Sequence, residues 1–146
     1  MRNLLSIVFV IGSTFLLNSQ SVNKLKKDLL NSIEEKTLEL TSLSDKIWEA
    51  AEVAFREDKS AEYLIEYAEA NGLTIERGLA GMPTAFTASY GKGKPVIGII
   101  GEFDALPGLS QTTAPYRDEL IEGGAGHGCG HNLFGTASLG AAIAIK

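Results

Sequence analysis

The side chains able to do chemistry in this 146-residue chain concentrate in one glycine-rich stretch, Gly123–Asn132. It holds both histidines of the chain, His127 and His131, and its single cysteine, Cys129. Thiolate and imidazole groups bind zinc and related metals, and the interleaved glycines let a tight backbone bring them toward one point. The stretch therefore predicts metal binding, although a structural zinc site usually has four ligands in spaced pairs and no second pair is present.

Three other interpretations of this stretch stay open. A cysteine nucleophile activated by His127 or His131 is reasonable chemistry. Phosphate binding has little support, because neither glycine-rich nucleotide motif occurs in its required context. The third interpretation is a glycine-rich turn in which the cysteine and histidines have no chemical role and are either packed or exposed to solvent. A redox dithiol is excluded within this chain, because there is one cysteine.

Two carboxylates precede this stretch, directly after the apolar run Val96–Ile100. Glu102 and Asp104 are two residues apart, so their side chains would lie on the same side of an extended backbone. Open α/β sheets bind ligands at the carboxyl ends of their strands, and carboxylates commonly orient imidazoles that bind metals. We therefore expect both acids to face one site with the cysteine and histidines, against the simpler interpretation of solvated acids in a turn.

The elements that must position these residues follow from apolar periodicity. A helical period predicts a long amphipathic helix from about Asn23 to Ala54. It predicts a second helix over Ala61–Ala70, with Ser60 as its N-cap and Asn71-Gly72 as its stop.

Strands are predicted next, because apolar residues alternate around Leu73–Ile75 and Phe86–Tyr90. The run Val96–Ile100 is almost wholly apolar, which is typical of a buried central strand. The composition of residues 105–126 predicts a long functional loop. The composition of Asn132–Lys146 predicts a buried helix.

Composition excludes several classes of protein. With 45% hydrophobic and 21% charged residues the chain has the composition of a folded domain, and the formal charge of −5 gives no sign of nucleic-acid binding.

A positive start, the apolar run Leu4–Leu17 and a small polar exit predict a secretory signal peptide over residues 1–21, with an uncleaved membrane anchor as the alternative. In an exported chain, the unpaired Cys129 needs a role or a buried position.

Two motifs in order along the chain, Gly101–Gly108 and Gly126–Asn132, closely resemble the amidohydrolase subgroup of the aminoacylase/dipeptidase family of metallopeptidases, peptidase family M20. The stretches Ile47–Phe55 and Ser60–Leu64 resemble the opening helices of its aminobenzoyl-glutamate hydrolase branch. The resemblance extends from about Leu40 to the last residue of the chain.

The resemblance implies an α/β fold, in which residues 22–146 form the amino-terminal part of a metallopeptidase-type catalytic domain with helices packed on a mixed sheet. It implies that Cys129 and His131 are metal ligands and that Asp104 is the catalytic acidic residue near the metals. His127 matches a position just outside the ligand set. The implied cofactor is zinc or manganese, as one or two ions.

The implied enzyme hydrolyses a small amide or peptide substrate, and its full-length form is a homodimer. The remaining ligands and the general base would lie beyond residue 146, so this chain alone is expected to be inactive. Glu102 and Asn132 stand where many relatives have aspartate, which leaves a role for Glu102 open. The alternatives are an exported metal-binding module without catalysis and a structural domain in which Cys129 is simply buried.

Overall fold

The computed structural model describes residues 21–146, which belong to two compact units. In the first unit, which ends at Glu35, residues 21–34 are helical and mostly exposed. The other unit is Lys36–Lys146. The predicted signal peptide falls outside the described residues except for Ser21, and it stays a prediction. Within the part of the chain that the structure describes, no helix combines the length and apolarity needed to cross a membrane.

Helix α1, Thr37–Ala50, opens the second unit and is amphipathic. Leu43 and Ile47 are buried one turn apart, whereas Leu38 is exposed. Full burial of an isoleucine side chain contributes about 1.5–3 kcal/mol, so this stripe secures the helix against the remainder of the unit.

The single long helix predicted from about Asn23 to Ala54 is wrong at two points. A turn at residues 35–36 interrupts it, where Lys36 has a backbone outside the helical range (φ −98°, ψ 6°). Its end comes at Ala50, because Ala51 adopts a left-handed conformation (φ 43°) and donates its N–H to the Ile47 carbonyl at 3.2 Å.

Helix α2, Asp58–Ala70, begins earlier than predicted. Ser60 is fully buried inside its first turn and is not the N-cap. The carboxylate of Glu52 instead accepts the N–H groups of Lys59 and Ser60, at 3.1 and 2.8 Å, and the Ser60 hydroxyl at 2.8 Å. A carboxylate from outside the helix thus satisfies first-turn donors that have no partner within the helix.

The chain leaves α2 as predicted, through Gly72 in a left-handed conformation (φ 76°). Strands β1, Thr74–Arg77, and β2, Phe86–Ser89, then pair in antiparallel register, with Ile75 opposite Ala88. Both of these residues pack against the hydrophobic core. A 3-10 turn, Leu79–Gly81, lies between the strands.

Residues 96–100 do not form the predicted central strand. Val96 is 84% exposed and Ile100 76%, and in the described chain the only sheet pairs β1 with β2. A buried strand requires neighbouring strands and a cover on both faces. The run has the apolar composition of such a strand, but the described residues provide no sheet to receive it.

Helix α3, His131–Ile145, matches the predicted buried helix and packs on α1 and α2. The core lies where these three helices meet and where α2 covers both strands. Its buried members are Leu43, Ile47, Leu64, Ala68, Leu73, Leu139 and Ile143. The predicted α/β class is confirmed.

Candidate active site

The acidic segment, Gly101–Asp104, is held by backbone hydrogen bonds on the carboxyl side of Asp104. The N–H of Ala105 donates to the Glu52 carbonyl at 2.7 Å, in a region where Ala105 is almost wholly buried. Leu106 and Gly126 exchange two further bonds, of 2.9 and 3.0 Å. The long loop predicted between Ala105 and Gly126 is therefore closed at its two ends, and the two sequence motifs meet.

Glycines shape the stretch that leads into α3. A Cβ atom at Gly126 would overlap the carbonyl oxygen of Leu109, so a side chain cannot fit there. Gly130, at the start of α3, is left-handed (φ 76°), and its N–H donates to the His127 carbonyl at 3.0 Å. This tight turn delivers His131 as the first residue of the helix.

The centre of the site is the imidazole of His131, which lies between the two carboxylates. Its Nδ1 is 2.7 Å from Asp104 Oδ1, and its Nε2 is 3.1 Å from Glu102 Oε2. The His131 side chain is 17% exposed, that of Asp104 21% and that of Glu102 56%. The expectation that both acids face one site therefore holds for His131.

The two ring nitrogens of His131 have different roles in this geometry. An ionised carboxylate only accepts hydrogen bonds, so the close contact with Asp104 requires an N–H on Nδ1 of His131. A neutral imidazole has one N–H, which leaves the lone pair of Nε2 on the side of Glu102. A proton or a cation is the species that can bridge Nε2 and this second carboxylate.

His127 connects the glycine-rich turn to α1. Its Nε2 lies 3.0 Å from the Ile47 carbonyl, which can only accept, so this nitrogen carries the hydrogen. Its Nδ1 is buried and has no hydrogen-bond partner among the described residues. Burial lowers the pKa of His127 below its ordinary value, while the Ile47 carbonyl and Asp104 act in the other direction.

Of the two predicted metal ligands, His131 lies beside a carboxylate that could share an ion with it. The donor types of His131 and Glu102 suit a divalent cation, and both atoms could reach one ion at ordinary bond lengths from 3.1 Å apart. Cys129, however, is exposed to solvent. Within residues 21–146, no three His, Cys, Asp or Glu side chains form a group that could hold a metal ion. The donors fit part of a metal site, and the role of Cys129 as a ligand stays a prediction.

Sequence reasoning missed two residues that support the site. Asn132 is buried and donates from Nδ2 to Ser44 Oγ at 3.0 Å, which fastens the first turn of α3 to α1. The side chain of Glu52 caps α2, and its backbone carbonyl accepts a hydrogen bond from the N–H of Ala105. A polar residue next to His131 was visible in the sequence, but its partner is 88 positions away and no local pattern identifies it.

The sequence is similar to three curated proteins that are named as hydrolases or dipeptidases. It is 46% identical over 117 residues to a subunit of the p-aminobenzoyl-glutamate hydrolase of Escherichia coli, a match that covers 80% of this chain. It is 28% identical over 132 residues to the mouse Xaa-Arg dipeptidase and 25% identical over 122 residues to the putative amidohydrolase YhaA of Bacillus subtilis, each over 84% of this chain. No protein-family profile matches.

These matches cover only part of each relative. The aligned region is 24% of the Escherichia coli protein, 27% of the mouse protein and 30% of the Bacillus subtilis protein. The chain thus spans about a quarter to a third of the length of the curated relatives that it matches.

Proposed function

This chain is of the amidohydrolase/dipeptidase type and resembles aminobenzoyl-glutamate hydrolase, and from that premise we propose that it supplies part of the active site of a metal-dependent amide hydrolase. The proposed substrates are acyl- or aminobenzoyl-amino acids or dipeptides. Their class follows from the names of the relatives, of which one is a hydrolase of p-aminobenzoyl-glutamate and another a dipeptidase.

The observation that carries this proposal is the imidazole of His131 between Asp104 and Glu102. A carboxylate on one ring nitrogen is the usual arrangement for an imidazole that binds a metal through the other. Asp104 fixes the ring and its tautomer, and Nε2 is then presented toward Glu102, at the more exposed side of the cluster.

Zinc or manganese, as one or two ions, is the proposed cofactor, held by His131 and Cys129 among other ligands. When bound, such an ion supplies an activated water and polarises the amide carbonyl of the substrate. A thiolate ligand favours zinc, whereas carboxylate ligands also suit manganese.

The residues of this chain have separate parts in the proposed reaction. Asp104 holds the His131 ring through Nδ1, so that the imidazole does not rotate when a ligand binds at Nε2. His127 fixes the glycine-rich turn to the end of α1 through the Ile47 carbonyl, and so holds the backbone from which Cys129 and His131 project. The contact at 3.0 Å requires a hydrogen on Nε2, so in the neutral imidazole Nδ1 carries the lone pair.

We further propose that residues 1–146 alone do not hydrolyse these substrates. A catalytic zinc takes about three protein ligands and keeps one position for water, whereas the described residues form no such group of three. The alternative function is an exported metal-binding module without catalysis, which tight binding of a divalent ion by the isolated chain would favour. Turnover of an acyl-amino acid by the purified 146-residue chain would refute this part of the proposal.

A chimera tests the proposed function directly. The 117-residue region of the Escherichia coli hydrolase that matches this chain is replaced by the corresponding residues of this chain, and release of p-aminobenzoate is measured with added zinc or manganese. We expect hydrolysis by the chimera, and its loss after His131→Ala or Cys129→Ala with the far-UV circular dichroism spectrum unchanged. A folded chimera without activity, or full activity in His131→Ala, contradicts the proposal.

Export and assembly complete the proposal. A cleaved signal peptide at residues 1–21 would place the substrate outside the cytoplasm, and cell fractionation followed by amino-terminal sequencing tests it. For the full-length enzyme we propose a homodimer, which light scattering on the chimera detects. A chimera that is active as a monomer would contradict the proposed homodimer.

A further inference from the structure

We propose that Gly135 is a positioning residue for His131. In this proposal, the missing side chain at position 135 lets the backbone of the acidic segment lie directly on α3, and this close approach places both carboxylates on the imidazole. The geometric claim stands by itself. Its importance for catalysis rests on the proposed function.

Gly135 lies one helical turn after His131, so the two residues share a face of α3. The acidic segment crosses the helix at this point. A Cβ atom at position 135 would lie 2.9 Å from the carbonyl oxygen of Glu102 and 3.2 Å from Cβ of Phe103. The first distance is shorter than real Cβ contacts, and its partner is a backbone atom that cannot rotate away. Alanine at this position would therefore displace the segment.

The contact is reciprocal. A Cβ atom at Gly101 would lie 3.3 Å from Cα of Gly135 and 3.2 Å from Cβ of Ser138. The Ser138 hydroxyl also donates to the carbonyl of Ile100 at 2.6 Å. The backbone of residues 100–102 thus packs closely on one face of α3. Gly101 and Gly135 allow the close approach, and the hydrogen bond from Ser138 holds it.

Phe103 also restrains the segment. Its ring packs on the hydrophobic core and lies 6.0 Å from the ring of Phe86, between their centroids. Glu102 and Asp104 flank Phe103 in the sequence, and both of their carboxylates contact the His131 ring. With Phe103 fixed, outward displacement at Gly135 cannot be absorbed by translation of the whole segment. It must tilt the segment and change the contacts to His131, and hydrogen bonds weaken steeply when misaligned.

The test uses the 146-residue chain and the N–H proton that His131 donates from Nδ1 to Asp104. In a proton NMR spectrum at fixed pH, we expect a downfield His131 ring signal in the wild type, assigned by its disappearance in Asp104→Asn. In Gly135→Ala we expect this signal to be lost or shifted upfield. The matched control is Gly98→Ala, where an added Cβ meets no atom within 4 Å and the signal should be retained.

Overall folding is monitored by far-UV circular dichroism, because a purely structural role would lower stability without a selective change at His131. If Gly135→Ala does not fold, Ser138→Ala replaces it, since it removes the bond to Ile100 without adding volume and should shift the His131 signal in the same direction. An unchanged signal in a folded Gly135→Ala, or in Ser138→Ala in its place, overturns the proposal, as does a wild type that lacks the signal. Hydrolysis is not part of this readout, so failure of the proposed function is recognised separately in the chimera.

Discussion

Nδ1 of His131 lies 2.7 Å from Oδ1 of Asp104, so an acid of one motif fixes an imidazole of the other. The two residues are 27 positions apart, and the loop between them is closed by paired hydrogen bonds between Leu106 and Gly126. The contact is mostly shielded from water, which strengthens a charge-assisted hydrogen bond. Orientation of the ring is therefore a property of the fold, present before any ligand binds.

The first prediction concerns Asp104→Asn in the chimera. Asparagine keeps the shape of the side chain but removes the charge and offers a donor as well as an acceptor, so the tautomer of His131 is no longer fixed. We expect zinc affinity to fall about 10–100-fold, as is usual when the orienting partner of a metal-binding imidazole is lost. Isothermal titration calorimetry measures it. Glu122→Gln, a neutralised acid on the exposed part of the loop, is the control and should leave the affinity unchanged.

Much of this site could be predicted because its signals are local. The spacing of Glu102 and Asp104 sets their common direction, and the alternation of glycine with His127, Cys129 and His131 indicates a tight turn into a helix. The structure brings Glu102, Asp104 and His131 together. Cys129 is exposed, and the spacing within the motif does not specify where its thiol lies relative to the other donors.

The errors occur where the residue types of a segment do not reveal the contact or backbone conformation that decides its structure. Ser60 resembles an N-cap by residue type, but the acceptor for this helix end is the side chain of Glu52. Val96–Ile100 has the composition of a central strand, yet a strand is formed by its neighbours as much as by its own residues. Left-handed Ala51 ends α1 without the glycine that usually marks such a position.

The second prediction tests Glu52 as the cap of α2. In Glu52→Gln the side chain loses its charge, and its amide can no longer accept from both backbone N–H groups and the Ser60 hydroxyl. We expect the free energy of unfolding to fall by about 1–2 kcal/mol, the usual cost of a lost cap with a charged acceptor. Urea denaturation measures it. Glu49→Gln, exposed near the end of α1, should change the midpoint little, and an equal loss in both variants would contradict the capping role.

The third prediction concerns the centre of the core. Ile47 is fully buried where α1 meets the other helices, so Ile47→Ala leaves a cavity that the packed neighbours fill only in part. We expect a loss of about 2–5 kcal/mol in the free energy of unfolding. Leu38→Ala truncates a side chain of the same helix that is 85% exposed, and it should change stability by less than about 0.5 kcal/mol. Comparable losses would place the core elsewhere.

The fourth prediction concerns the alkaline titration of Tyr67, whose hydroxyl donates to Glu39 Oε2 at 2.9 Å. Burial, followed by this carboxylate, raises the pKa of Tyr67 from 10.0 to about 12. Because the folded state holds this proton more tightly, its stabilising effect is complete below pH 10 and is lost as the pH rises through about 12. Ultraviolet absorbance of the four tyrosines should therefore show one late ionisation, which moves to lower pH in Glu39→Gln. Glu34→Gln, outside the second unit, is the control. Simultaneous ionisation of all four tyrosines in the folded chain would exclude the predicted contact.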